Sequence, residues 1–549
     1  MFGKRYYGLT GLSLNIAIGV IAGLDFFLFG YDQGVMGGLL TLNSFVEVFP
    51  EIDVNNPPPG KTSSYTSTIQ GISIGSYNLG CFVGAVLTIW VGDWLGRRWT
   101  IFVGSAIMVI GATLQTSAFS LGHLIAGRII TGVGNGMNTS TVPVWQSETS
   151  KSHRRGQMVM VEGALITGGV CLSYWLDFGF SFLEPSSIAW RFPIAFQILI
   201  ALIILCFILG LPESPRWLMM KGKEDEAINV LCALNLRDRD DPYIVSEFNA
   251  IKDVALVMQS GSFRDLFTMD EDRNFHRVCL GFVNQMFQQI SGINLITYYA
   301  ATIYENNINL SPFISRILAA ANGTEYFLAS WIAVFTIEKF GRRQLMLFGA
   351  VGMSASMCIL AGTTAHPSTS TGIAAAAFLF VFNTFFAIGW LGMTWLYPAE
   401  IVPLRIRAPS NALSTSANWI FNFMVVMITP VAFDTIGYQT YIIFAVINAF
   451  IVPCVYFFYP ETAYRSLEEM DAIFHKTTSI WDVVRVAKNE PQRYGKNGEL
   501  LVDYLDTEEA AGIGARRRSS VVRGGSVVAG AHDKSVDSEK LGAVHKDRV

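Results

Sequence analysis

The sequence predicts an all-α integral membrane protein with twelve transmembrane helices in two six-helix bundles. Three observations carry this. Of the 549 residues 51% are apolar and only 15% are charged, and the mean hydropathy is positive, a balance that suits lipid better than water. Apolar stretches of roughly 20 residues recur, each long enough at 1.5 Å per residue to cross a ~30 Å hydrocarbon core. The two halves also repeat each other. Asp93-x-x-Gly96-Arg97-Arg98 returns as Glu338-x-x-Gly341-Arg342-Arg343, Pro212-Glu213-Ser214 as Pro460-Glu461-Thr462, and Glu148 with Arg154 and Arg155 as Glu400 with Arg405 and Arg407. The three offsets are 245, 248 and 252 residues. Transporters duplicated in this way place substrate between the halves near the membrane midplane.

Lys4 and Arg5 precede the first apolar run. No small-residue cleavage site follows and Asp32 is embedded in the run, so residues 14–36 read as a retained first span. The next five are expected at 69–91, 100–119, 121–144, 158–178 and 192–211, completing a bundle over 1–211. A charged segment, 212–277, follows, with helical stretches such as 224–236. The second bundle, 278–459, holds spans at 278–300, 313–337, 345–362, 374–397, 412–433 and 441–459. The tail, 460–549, is rich in Gly, Ser and charge from about Glu508 and has too few apolar residues to bury a core, so it is expected to be largely disordered. Arg516-Arg517-Arg518-Ser519 can be read as a phosphorylation site or as an ordinary basic linker.

Basic residues mark the cytoplasmic side. Lys4 and Arg5, Arg97 and Arg98, Lys151, Arg154 and Arg155, the 212–277 linker, Lys339, Arg342 and Arg343, and Arg405 and Arg407 fall on alternate connections, which places both termini in the cytoplasm. The net charge of −4 calls for neither nucleic acid nor an acidic partner. Cys81, Cys171, Cys206, Cys279, Cys358 and Cys454 sit in apolar stretches without metal-ligand spacing, so no disulfide framework or metal is expected. A phosphate-binding Gly-Lys loop, a nucleophile elbow and a metal-ligand cluster are all missing from the sequence, which argues against an enzyme and against a cofactor.

The motifs then narrow the reading. Gly30-Tyr31-Asp32, Gly92-Asp93-Trp94-Leu95-Gly96-Arg97-Arg98, Gly127-Arg128, Arg154-Arg155-Gly156 and Pro212-Glu213-Ser214-Pro215-Arg216-Trp217-Leu218 appear in the first half. Gln288-Gln289-Ile290-Ser291-Gly292-Ile293-Asn294 with Tyr298-Tyr299, Gly341-Arg342-Arg343 and Pro460-Glu461-Thr462 appear in the second. In this order the chain resembles the sugar porter family of the major facilitator superfamily, from the first span to about Asp471. Runs such as Trp175-Leu176-Asp177-Phe178-Gly179 are similar to the fungal monosaccharide and polyol branch. The resemblance implies a plasma-membrane carrier, working as a monomer, that imports a hexose, pentose or glycerol-class polyol by proton symport. A facilitative uniporter and a transporter-like sugar sensor are the alternatives. The tail would serve regulatory kinases or ubiquitin machinery.

Particular residues follow. Gln288, Gln289 and Asn294 lie in an otherwise apolar span, where an amide buried without a partner costs roughly 2–7 kcal/mol. The residues alone leave interhelical hydrogen bonding and sugar contact both open. The resemblance implies sugar contact and adds Tyr298, Trp395 and Asn418. Asp32 and Arg128 lie at one depth and are charged within spans, where ionisable groups seek each other. A structural ion pair is one reading. The resemblance implies the other, a protonated Asp32 released from Arg128, with the proton as coupling ion. By the same likeness Asp93, Arg97, Arg98, Glu148, Arg154, Arg155, Glu338, Arg342, Arg343, Glu400, Arg405 and Arg407 form cytoplasmic salt-bridge clusters that lock the two bundles. The chain departs from the hexose pattern where Gly163, preceded by Glu162, replaces a span-5 Gln, and where the span-8 site often filled by Asn falls near Glu325 and Tyr326. Glu162 and Glu325 are read first as partners of nearby arginines, with polyol binding and extra proton sites as alternatives.

Overall fold

The computed structural model describes residues 5–149, 155–259, 263–465 and 467–491, and among them there are helices and no strand. The membrane-crossing helices of the first half are α1 (Gly11–Leu39), α2 (Ser63–Leu95), α3 (Arg97–Thr116), α4 (Leu121–Thr149), α5 (Arg155–Ser181) and α6 (Ile188–Ile208). Short helices Pro215–Met220, Glu224–Asn235 and Pro242–Gln259 make up the linker. The second half holds α7 (Asn274–Gln288, continued by Asn294–Thr302), α8 (Pro312–Phe340) and α9 (Arg342–Ala365). It ends with α10 (Thr369–Gly389, continued by Met393–Ile401), α11 (Arg407–Ile436) and α12 (Gln439–Phe458). These helices lie in one compact unit, Met1–Glu490; the tail beyond Pro491, including Arg516–Ser519, lies outside the described residues.

Nine of these helices are apolar and long enough to cross a membrane on that ground alone. The other three are α4, α7 and α8. These carry buried polar groups, Arg128, Asn135 and Asn138 on α4, Gln285, Gln288 and Asn294 on α7, and Asn322 on α8. Function is therefore expected where apolarity was given up.

The glycine runs of α2 set helix spacing. A Cβ at Gly80 would lie 2.3 Å from the Ile129 carbonyl oxygen and one at Gly84 2.1 Å from that of Val133, both on α4. A Cβ at Gly71 would lie 2.4 Å from the Met427 oxygen on α11, so the same helix packs closely against both halves.

The duplicated loop motif has a local cause. Gly96 and Gly341 hold φ of +86° and +82°, where a side chain is strained, and each turns the chain straight into a helix. The exposed first N–H groups of that helix are then capped by a glutamate from the end of the same half. Glu213 accepts from the amides of Arg97 (3.0 Å) and Arg98 (3.1 Å), and Glu461 from those of Arg342 (2.8 Å) and Arg343 (3.0 Å). Burial pushes the Glu213 carboxyl above its usual range, against the amide bonds from Ser214 and Arg98 and the Arg98 and Arg97 charges.

Candidate functional site

α7 does not run as the continuous helix the sequence suggests. A π-helical turn over Gln289–Ile293 interrupts it, with Gly292 at φ +102°. On an unbroken helix residues 289 and 294 would point about 140° apart at 3.6 residues per turn. Here the Asn294 side-chain amide donates to Gln289 Oε1 at 2.6 Å. The chain of amides continues: Gln289 donates to Gln288 Oε1 at 2.9 Å, and Asn418 of α11 donates to both Gln288 Oε1 (3.0 Å) and Gln285 Oε1 (2.6 Å).

The break in α10 supplies the remaining partners. Where the helix stops after Gly389, Gln288 Nε2 donates to the carbonyls of Trp390 and Leu391, both at 3.1 Å, and that of Leu391 also accepts from the Thr394 hydroxyl at 3.5 Å. Gln285 Nε2 donates to the Thr394 carbonyl at 2.8 Å. Gln288, Gln289, Asn294, Asn418 and Trp395 line a cavity of about 40 Å³, closed on the other side by Phe29 and Gln33 of α1 and Ile166 and Val170 of α5. That volume is on the order of one or two water molecules, so a solute with several hydroxyls enters only when the halves move apart.

Tyr298 stands elsewhere. It does not line this cavity; its hydroxyl donates to Asn78 Oδ1 of α2 at 3.1 Å. With Tyr174 donating to the Thr297 carbonyl (2.8 Å), it ties the outer piece of α7 to the first half, while Tyr299 ties it to Val426. Beyond Tyr299 lies a second cavity of about 450 Å³, lined from both halves by groups that include Gln70, Glu305 and Asp434. The segment Thr297–Tyr299 thus separates the two spaces.

Asp32 and Arg128 are fully buried and electrostatically coupled, but they form no direct ion pair. Arg128 donates instead to the Ile74 carbonyl at 3.2 Å and lies over the Tyr77 ring, 5.2 Å from its centre. Both Asp32 oxygens and the Tyr77 hydroxyl are left without hydrogen bonds. The expected arginine partners of Glu162 and Glu325 are likewise not found among the described residues. Glu162 is buried with no hydrogen-bond partner, and Glu325 accepts from the Thr384 hydroxyl. Among the described residues of the first half the deeply buried arginine is Arg128, which is already committed to Ile74 and Tyr77.

Two symmetric halves, a central amide chain and a coupled buried Asp–Arg couple are the setting in which the comparisons fall. Residues 17–474 match the family model described as sugar (and other) transporter. The chain belongs to that family. It is 39% identical to Sugar transporter STL1 of Saccharomyces cerevisiae over 93% of this chain and 91% of the relative. It is 38% identical to MFS-type transporter oryC of Aspergillus oryzae over 94% and 96%. In three dimensions it is similar to the proton:xylose symporter XylE bound to 6-bromo-6-deoxy-D-glucose, with TM-score 0.71 and 25% identity over 84% of this chain and 99% of that one. This sugar transporter is accordingly a multi-pass protein of the major facilitator fold, and its relatives are named as transporters.

Among the described residues, the transporter's charged clusters close within each half or on the linker and do not bridge the two halves. Arg97 pairs with Glu148 (3.3 Å) and Asp93 (3.9 Å); Arg342 pairs with Glu400 (2.8 Å) and Glu338 (3.1 Å). Arg98 donates to the Leu209 and Leu211 carbonyls, Arg343 to that of Tyr456, and Arg407 to that of Val402. Arg405 reaches Asp265 at 3.5 Å and Asp272 at 3.9 Å in the linker. The reason is topological, because each motif meets the capping glutamate and the helix end of its own half. Arg154 and the Arg155 side chain lie outside the described residues. Sequence reasoning puts Gln285 on one helix face with Gln288 and Gln289 by the i, i+3, i+4 rule but does not count it among the solute contacts. It also missed Phe29 and Gln33, whose only signal was adjacency to Gly30-Tyr31-Asp32.

Proposed function

We propose that this transporter imports a monosaccharide or polyol of the hexose, pentose or glycerol class across the plasma membrane by proton symport with alternating access, with both termini in the cytoplasm. The observation that carries the solute class is the chain of five side-chain amides, Asn294, Gln289, Gln288, Asn418 and Gln285, at the meeting of the halves. Amides both donate and accept, as hydroxyls do, so a polyhydroxylated neutral solute can replace their mutual bonds one for one. A charged solute would be taken out of water with no counter-ion in that chain. Trp395 offers an apolar wall to the carbon face of such a solute.

Symport is supported by Asp32, a buried carboxylate without hydrogen bonds beside an arginine that is held elsewhere. Protonation of Asp32 would remove its attraction to Arg128 and free α1 to move relative to α4. The test is radiolabelled uptake of glucose, xylose, L-arabinose and glycerol in a carrier-null yeast, with and without a protonophore, for the native chain and Asp32→Asn. Accumulation of one solute, lost in both treatments, is the expected result. Uptake that only equilibrates, with a silent substitution, makes the protein a facilitator.

A further inference from the structure

Asp25 lies on α1 two helical turns before Asp32, about 10 Å nearer the basic end at 1.5 Å per residue. It is 1% exposed. Its Oδ1 accepts from the Asn138 side-chain amide at 2.7 Å, and that nitrogen also reaches Ser105 Oγ at 3.0 Å; its Oδ2 has no partner. Asn138 belongs to a file of buried polar residues on α4 that includes Arg128, Thr131 and Asn135, spaced by three and four. Asn135 continues the file by donating to Cys81 Sγ at 3.5 Å. A polar stripe therefore runs inside the first half from the level of Asp32 to Asp25.

Among the described residues, no charged group faces Asp25 from the helices around it. On α4, Arg128 is turned to Ile74, and on α3 the nearby group is the Ser105 hydroxyl. On α5, Glu162 has no contact with it and Asp177 lies against Gly38. On α6, Arg191 donates to the Ala118 carbonyl, and on the linker helix Glu224–Asn235 the acids face outward, Glu224 to Lys252 and Asp225 to Arg239. The outer piece of α7 carries no charge. An ionised carboxylate buried without a cation is costly, whereas a protonated one needs only hydrogen-bond partners such as the Asn138 amide and its free Oδ1.

We propose that Asp25 is a second proton-binding carboxyl of this carrier, protonated in the closed state, emptied when the basic end of the first half opens, and refilled by the proton leaving Asp32. One O–H bond breaks at Asp32 and one forms at Asp25; no other covalent bond changes. The inference rests on the proton-symport reading and adds an inner station to it.

The test compares the full-length carrier with Asp25→Asn and Asp25→Glu in two assays, concentrative uptake driven by a pH gradient and solute exchange at equilibrium. Asn mimics the protonated acid, so exchange is expected to persist in Asp25→Asn while accumulation is lost, and Asp25→Glu is expected to restore accumulation. Accumulation by Asp25→Asn at the native level overturns the second site and leaves symport standing. If the native carrier itself fails to concentrate solute, symport falls and the second site falls with it. Should Asp25→Asn not reach the membrane, the native protein decides. Dicyclohexylcarbodiimide adds to protonated carboxyls in apolar surroundings, and peptide mass mapping is expected to find it on Asp25; no label there overturns the proposal.

Discussion

The two halves repeat one fold but differ in what they bury. The first half encloses ionisable groups, Asp25, Asp32, Arg128, Glu162 and Asp177, around α1 and α4, which run unbroken as Gly11–Leu39 and Leu121–Thr149. In the second half the repeat equivalents of those helices, α7 and α10, are both interrupted, and the buried groups at the interruptions are neutral amides. A continuous helix satisfies its own backbone, so its interior can hold a charge that titrates. A broken one releases carbonyls that must be satisfied from outside, which suits a neutral solute with many hydroxyls. Duplication supplied two similar scaffolds, and the interruptions distinguish them: the buried carboxyls and Arg128 lie in the first half and the chain of neutral amides in the second, which under the proposed function divides proton from solute.

The largest expected effect that tests this division is Asp32→Asn. It removes the titrating group while leaving the amide chain intact, so accumulation driven by a pH gradient should vanish while solute exchange survives, both measured in vesicles. Loss of exchange as well would place Asp32 in the solute site and break the comparison.

Next comes packing. Gly84→Ala puts a Cβ 2.1 Å from the Val133 carbonyl oxygen, against backbone that cannot yield, whereas Gly281→Ala on α7 meets the Ser414 hydroxyl at 3.1 Å. Gly84→Ala should lose most folded protein by fluorescence-detected size-exclusion chromatography, and Gly281→Ala should retain most of it. Equal losses would remove the claim that Gly84 lets α2 meet the α4 backbone.

Gln288→Ala is expected to act on affinity. It strips partners from Gln289 and Asn418, takes the side-chain donor from the Trp390 carbonyl and leaves that of Leu391 with only the Thr394 hydroxyl. At about 1–3 kcal/mol for such groups, KM should rise roughly 5- to 150-fold with the proton-to-solute ratio unchanged. A changed ratio would show the halves are not divided in this way. The smallest effect is at the basic end. Arg342→Gln gives up two carboxylates at 2.8 and 3.1 Å, Arg97→Gln one at 3.3 Å and one at 3.9 Å. Thermal unfolding in detergent should fall by a few degrees for Arg342→Gln and by less for Arg97→Gln.

Much of this was open to reading in one dimension. The spans follow from hydropathy, the duplication from the offset of Gly-Arg-Arg and Pro-Glu-Ser/Thr, and the solute amides from polar residues in an apolar run, because each signal is carried by neighbours along the chain. What that duplicated motif is for became visible only in the fold, since Glu213 caps a helix that begins 116 residues earlier. Asp25 passed unremarked in the sequence, being one acid near the start of a span, until Asn138 was seen against it.

The sequence by itself thus determined the class of molecule, the number of crossings and the residue types available to a solute and a proton. Only the tertiary structure decided that Asn294 meets Gln289, that Tyr298 bonds to Asn78 and not into the cavity, that Arg128 turns to Ile74, and that each charged cluster closes on its own half. Those outcomes depend on three positive-φ glycines, Gly96, Gly292 and Gly341, on two helix interruptions and on the choice among competing partners. Such choices are made between groups far apart in the chain, at energies of a few kcal/mol that no local pattern encodes.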